Sequence, residues 1–146
     1  MLGARNRVGL DGTQIQRCLE IWEVLCGERP RALDITEAMR HGSRTRFDQA
    51  RGLVVLGADA YPGAGRTANS RMSPLACLAH ELAHVERHEL GYDRPFDPPD
   101  SYLDEAETSL RASFVPVLSP RDREDLVEDA RDRLTDWLAT RMQDAI

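Results

Sequence analysis

The stretch from Ser73 to Gly91 constrains the fold more tightly than any other part of the chain. Ser73 is a helix-capping residue, Pro74 suits the first helical position, where its missing N–H costs nothing, and Gly91 stands where a helix would stop. Between them Leu75, Leu78, Ala79, Leu82 and Val85 recur at helical spacing. A helix with such a stripe must lie against a core. His80-Glu81-Leu82-Ala83-His84 falls in its middle.

Residues four apart on a helix differ by about 40° in rotation and about 6 Å along the axis. His80 and His84 can therefore offer imidazole nitrogens to one ion. Imidazole suits zinc, and catalytic zinc usually takes three protein ligands and keeps one position for water. Bound zinc acidifies that water, from a pKa of 15.7 to roughly 7. Glu81, next to the first histidine, can lean beside the ion without binding it, take a proton from water and pass it to a leaving amine. Chance places the bare pattern in about 0.8% of chains with this many His and Glu. That frequency is too high for the pattern to carry the assignment alone; its place on a capped, amphipathic helix adds the weight.

The rest of the chain supplies a frame for this helix. Ile15, Cys18, Leu19, Trp22, Leu25 and Cys26 predict a helix from about Asp11 to Cys26, capped by Asp11 or Thr13 and ended by Gly27. Ala32 to Thr36, Arg44 to Asp48 and Gly52 to Ala58 read as three short strands, with Leu53-Val54-Val55-Leu56 the most strand-like. Leu53 to Leu56 is also a candidate edge strand, able to pair with an extended peptide, or else a plain core strand. Asp59 to Met72 reads as a glycine-containing loop, either a solvated connection or a lid over a cleft. The prolines between Asp93 and Asp100 make another loop, after which a helix begins at Asp100 or Ser101 and runs through Ala112. Ser119-Pro120 repeats the cap-then-proline start. Leu126, Val127, Ala130, Leu134, Trp137, Leu138 and Met142 mark the apolar face of a long final helix.

Bulk properties exclude several classes. With 146 residues, 41% hydrophobic and 30% charged, the chain fits one globular domain over 1–146 without disulfide staples. Cys18, Cys26 and Cys77 are odd in number and lack CxxC spacing, which argues against a disulfide framework. No apolar run is long enough to span a membrane, and Met1 to Leu10 lacks the core of a signal peptide. The cytoplasm is the expected location. A formal charge of −6 speaks against nucleic acid as a partner.

The third ligand must come from outside the motif. His88 extends the row of His80 and His84, but a third ligand a turn further along one straight helix lies too far up the axis. The metzincin pattern, which needs a glycine and a later histidine, is missing. Asp104, Glu105 and Glu107 lie on the next predicted helix, and any of them could complete a two-histidine, one-carboxylate site.

His80-Glu81-Leu82-Ala83-His84, followed by Glu105-Ala106 and then Phe114-Val115-Pro116, resembles the ImmA/IrrE family of metallopeptidases. In that family a Glu-Ala-Asn segment supplies the third zinc ligand and an apolar run ending in proline closes the helix; the resemblance implies Glu105 as that ligand. It covers roughly Gly52 to Pro116. Glu107 stands where the family often has asparagine, and Ser109 where an aromatic is common, so Glu107 stays an alternative. The resemblance further implies a zincin-like fold of the gluzincin type and endopeptidase action on a protein or peptide, often a regulatory protein.

Other residues carry weaker signals. Cys77 shares the motif's side of the helix; it is either a thiolate able to bind the ion or a small core residue. Zincins often add a side chain that stabilises the tetrahedral oxyanion. Tyr102 is singled out for that role, with Tyr92 and Arg111 behind it. His41 reads as a turn residue, and Trp22 and Trp137 as core. The sequence thus predicts an α+β fold, a small zincin-like domain of helices packed on a short, mostly antiparallel three-stranded sheet. Zinc is expected on His80, His84 and Glu105, with Glu81 as general base. The rival readings are a catalytically inactive zincin-like binding module, a metal hydrolase acting on a small amide, and a helical adaptor without metal.

Overall fold

The computed structural model describes residues 4–144 and is α+β, with five α-helices among the described residues packed on one three-stranded sheet. Helix α1 (Gly12–Cys26) starts at Asp11, whose carboxylate accepts from the Gln14 N–H while the Gln14 side chain accepts from the Asp11 N–H. It stops at Gly27, which takes a φ of 57° that a side chain would resist. Ile15, Cys18 and Trp22 form its buried face, and the Trp22 indole donates to the Arg31 carbonyl.

Strands β1 (Leu33–Asp34), β2 (Arg46–Asp48) and β3 (Leu53–Val55) are shorter than the sequence suggests, and their order is β1-β3-β2. β2 pairs antiparallel with β3, placing Phe47 opposite Val54, whereas β1 pairs parallel with β3, placing Leu33 opposite Val54. The sheet is therefore mixed rather than mostly antiparallel. The cause lies between β1 and β2. The Asp34 carboxylate accepts from the Thr36 N–H and hydroxyl, and successive turns follow through Ala38, Arg40 and Ser43, so the chain crosses over instead of folding back as a hairpin. β3 then returns between the two strands by a tight turn at Gly52. This puts Leu53 to Leu56 in the centre of the sheet, with Val54, Val55 and Leu56 buried, and makes β2 the edge strand beside the cleft.

The segment from Asp59 to Met72 is fastened down rather than free to swing. It holds a 3-10 turn (Ala58–Ala60) and the short helix α2 (Ala68–Arg71), with Ala60, Ala68, Ser70 and Met72 buried. The Arg5 guanidinium donates to the carbonyls of Asp59, Ala60, Asn69 and Met72, which ties both arms of the segment together. At Gly63 a Cβ would stand 2.2 Å from the Ala4 carbonyl oxygen, so only glycine lets the two backbones touch.

Helix α3 (Pro74–Glu89) is buried on two sides. Leu78, Leu82 and Val85 join a core with α1 and the sheet, while Ala76, Ala79 and Ala83 join a second core with Ala112, Leu118 and Leu126. The alanines let helices α4 (Asp100–Ala112) and α5 (Pro120–Asp144) approach closely. On α5 only the first half of the expected apolar face is covered. Leu126 and Ala130 are buried, but Val127, Leu134, Leu138 and Met142 are exposed, and Trp137 is half-buried beneath Arg141. A helix of 25 residues runs roughly 37 Å. Its partner α4 has 13 residues, so the last turns of α5 have little to pack against. No helix among the described residues is long and apolar enough to cross a membrane.

Ser73 joins the start of α3 to α5. Its hydroxyl accepts from the Ala76 N–H and donates to Asp122 at 2.6 Å. Ser73→Ala removes a cap and leaves a buried carboxylate short of a donor, so it should lower unfolding stability by about 1–3 kcal/mol in urea titrations of metal-free protein. An unchanged midpoint would contradict this role.

Candidate metal centre

His80 and His84 stand one turn apart on the side of α3 that meets α4, and Glu105 projects from α4 against both. Its Oε2 lies 2.8 Å from His80 Nε2, and its Oε1 lies 3.1 Å from His84 Nε2. The two imidazoles are nearly perpendicular, at 84°, with centroids 4.7 Å apart. One ligand atom from each of the three residues falls within 4.8 Å of the other two. A tetrahedral ion with nitrogen and oxygen bonds near 2.0–2.1 Å sets its ligand atoms roughly 3.3 Å apart, so the cluster needs little adjustment to hold one.

The nitrogens that face away from this cluster are held from behind. His80 Nδ1 lies 2.8 Å from the Ser109 hydroxyl, which donates to Asp129 Oδ2 at 2.7 Å; Ser109 and Asp129 are fully buried. With Nδ1–H as the donor, the His80 Nε2 lone pair is free to face an ion. His84 Nδ1 lies 3.4 Å from Thr108 Oγ1 and 3.8 Å from Asp104 Oδ2. Those two residues are fixed by buried Arg87, which donates to Asp104 Oδ1, the Asp104 carbonyl and Thr108 Oγ1. Each imidazole is thus aimed by a polar group that is itself anchored.

Charge in the cluster follows from this packing. Burial alone would lower the His84 pKa, but its hydrogen bond to Glu105 and the charges of Glu105, Glu81 and Asp104 outweigh it, raising it to about 9. For Glu105, burial pushes upward and is overcome by the hydrogen bonds and charges of His80 and His84, which hold the carboxyl well below its usual range. Glu81 is buried, and burial raises its pKa against the pull of both histidines. Such a carboxylate holds protons more tightly than an exposed one.

All four residues line a cleft of about 870 Å³ whose other walls include β2, Arg5, Asp59 and Arg133. The remaining sequence candidates are placed elsewhere. Glu107 is taken by Arg87 and Arg94, which leaves Glu105 as the carboxylate in the cluster. His88 meets Gln49 and Asp93 and packs on Phe47. Arg111 pairs with Glu86, Tyr92 is exposed, and His41 is exposed in its turn. Tyr102 sits on α4 one turn before Glu105 but does not line the cleft. Cys77 does line it, yet burial pushes its thiol up to about 12, so it is a neutral packing residue and stands outside the metal-capable group.

Sequence reasoning missed Thr108, Asp129 and Arg133, and it named Asp104 only as a possible ligand and Ser109 only as a departure from a family pattern, not as the supports of His84 and His80. Asp129 left one signal: it falls inside the apolar stripe of α5, between Leu126 and Ala130, where an acidic residue needs a reason. No protein-family model, curated protein or solved structure matches the chain.

Metal-free His84 keeps its proton up to about pH 9, so an ion binding at neutral pH must expel it. Zn2+ affinity should therefore rise with pH, approaching about tenfold per unit, and level off near pH 9. Calorimetry in buffers of different ionisation enthalpy should count about one proton released from this residue at pH 7. An affinity that stays flat between pH 6 and 8 would contradict the assignment.

Proposed function

We propose that the chain is a zinc-dependent metallopeptidase with a zincin-like fold, similar to the ImmA/IrrE family, that hydrolyses a peptide bond in a protein or peptide. The observation that carries this reading is the Glu105 carboxylate set against both Nε2 atoms, with buried Glu81 opening on the same cleft. Two imidazoles and one carboxylate form a known donor set of catalytic zinc, and the hydrogen-bonded outer nitrogens suit it further. When bound, zinc supplies Lewis acidity, polarising a carbonyl and making water a better nucleophile.

The chain's own residues do the rest. His80, His84 and Glu105 hold the ion. Glu81 takes a proton from the attacking water as its oxygen bonds to the carbonyl carbon, then gives that proton to the nitrogen as the C–N bond breaks. Its raised affinity for protons suits both halves of the task, because acceptor and donor are the same carboxyl group. β2 lines the cleft at Arg46 and Phe47, and as an edge strand it can take an extended chain as a further strand. Main-chain pairing of that kind holds a peptide and gives a small amide little purchase, which favours a peptide substrate over the small-amide alternative.

Elemental mass spectrometry on untagged protein, with incubation on denatured proteins and sequencing of the new termini, tests this reading. The wild type should carry about one zinc per chain and generate new termini. Glu105→Ala should lose most of the metal. Glu81→Gln should keep the metal while cleavage falls by about 10²–10⁴-fold. Full metal with no new termini in any sample would instead support a zinc-bearing binding module, and no zinc after reconstitution would sink both.

A further inference from the structure

Across the cleft, α5 brings a cation to the site that the hydrolysis described so far does not use. Arg133 lines the cleft with His80, Glu81, His84 and Glu105, and its side chain is only 13% exposed. Its Nε donates to Asp129 Oδ2 at 3.0 Å, one turn back on the same helix. The same Oδ2 accepts from Ser109, so the oxygen that aims His80 also aims Arg133. Asp129 is fully buried and its Oδ1 has no hydrogen-bond partner among the described residues, so both of its bonds are made by the oxygen shared between the two groups. A carboxylate placed this way serves its neighbours more than the stability of the fold.

The outer nitrogens of Arg133 are left for the cleft. Nη1 lies 3.7 Å from Glu105 Oε2, near enough for charge attraction but too far for a hydrogen bond. Keeping an arginine largely out of water with part of its fork unused is unfavourable for the resting protein. It becomes useful when an anionic oxygen forms beside it. The other arginines that line the cleft are committed or peripheral: Arg5 is spent on four carbonyls, Arg46 pairs with Glu37, and Arg7 and Arg44 are exposed.

We infer that Arg133 is a catalytic residue that donates through its outer nitrogens to the oxyanion of the tetrahedral intermediate, the role for which the sequence singles out Tyr102. This rests on the peptidase reading. As the water oxygen bonds to the carbonyl carbon, the C=O electron pair moves onto oxygen, and the N–H groups of Arg133 meet the charge that forms. When the C–N bond breaks and the carbonyl re-forms, the charge leaves and Arg133 keeps its protons throughout. Fixed donors aimed at developing charge strengthen only as that charge appears, so their loss falls on kcat.

Arg133→Gln and Arg133→Lys in the zinc-loaded full chain test this. Two readouts are used: cleavage of a peptide taken from the new termini found for the wild type, and calorimetric binding of an N-phosphoryl dipeptide, a tetrahedral anion, beside the matching dipeptide hydroxamate. Arg133→Gln should lower kcat about 10²–10³-fold with KM within about threefold, and weaken the phosphoryl ligand by a similar factor while the hydroxamate changes little. Arg133→Lys, which keeps the charge, should recover part of both. Zinc content should stay near wild type, while Tm should fall in Arg133→Gln, which leaves buried Asp129 one donor short, and fall less in Arg133→Lys, so both readouts are taken on folded protein well below Tm. An unchanged kcat, a loss confined to KM or a parallel loss of both ligands would each overturn the role, and loss of zinc in both variants would overturn it and make Arg133 a positioning group for Glu105. A wild type that loads zinc but neither cleaves nor binds either ligand defeats the peptidase reading, and this inference with it. Normal cleavage by Arg133→Gln defeats this inference alone.

Discussion

The structure turns on one constraint: α3 is packed on two sides and still carries His80, Glu81 and His84 in its middle. Leu78, Leu82 and Val85 hold one side to the sheet, while Ala76, Ala79 and Ala83 admit α4 and α5 on the other. Polar side chains buried in such a seam need partners, since a buried donor or acceptor without one costs about 1–3 kcal/mol. The chain meets that demand from two different helices. α4 brings Glu105, Thr108 and Ser109, and α5 brings Asp129 and Arg133. Packing and site assembly are therefore one problem with one solution.

The same logic explains why the seam carries so many charges. Arg87 lies on α3 one turn beyond His84 and would be costly to bury alone. It is held by Asp104, Thr108, Glu107 and the Tyr92 carbonyl, and those bonds in turn fix α4 in register against α3. A slip of α4 by one residue would break this set and move Glu105 away from the histidines. The register of two helices is thus written in hydrogen bonds as much as in apolar contact.

Much of this was legible in the sequence where the determinants are local. Ser73-Pro74 and Ser119-Pro120 mark helix starts that the structure keeps, and Asp11 with Gly27 brackets α1. His80 and His84 were legible as a pair because a four-residue helical repeat sets them on one face, and the returning helix narrowed the third member to Asp104, Glu105 or Glu107; the family resemblance alone pointed to Glu105, which the structure places beside both histidines. Glu105 and Glu107 could not be separated by spacing. What separates them is that Arg87 and Arg94 claim Glu107, a fact of the tertiary fold. The parallel pairing of β1 was hidden in a run of turns between Ile35 and Ser43 whose direction no short window fixes. Asp129 and Arg133 were hidden because their partners, Ser109 and Glu105, lie on another helix far back along the chain. The overhang of α5 escaped notice because periodicity reports which face is apolar and not whether anything covers it.

The three cysteines have a consequence for redox chemistry. Burial raises the thiol pKa of Cys18 to about 11 and of Cys77 to about 12, and raises that of Cys26. Peroxides, alkylating agents and disulfides react with thiolate, and a thiol with a pKa near 12 is ionised in only about one molecule in 10⁵ at neutral pH. Cys77 therefore sits in the wall of a metal-capable cleft as a partly buried sulfur with little thiolate in the metal-free protein. The group that could hold an ion is made of two imidazoles and a carboxylate with no thiol, so oxidation of this cysteine would leave the ligand atoms themselves unchanged.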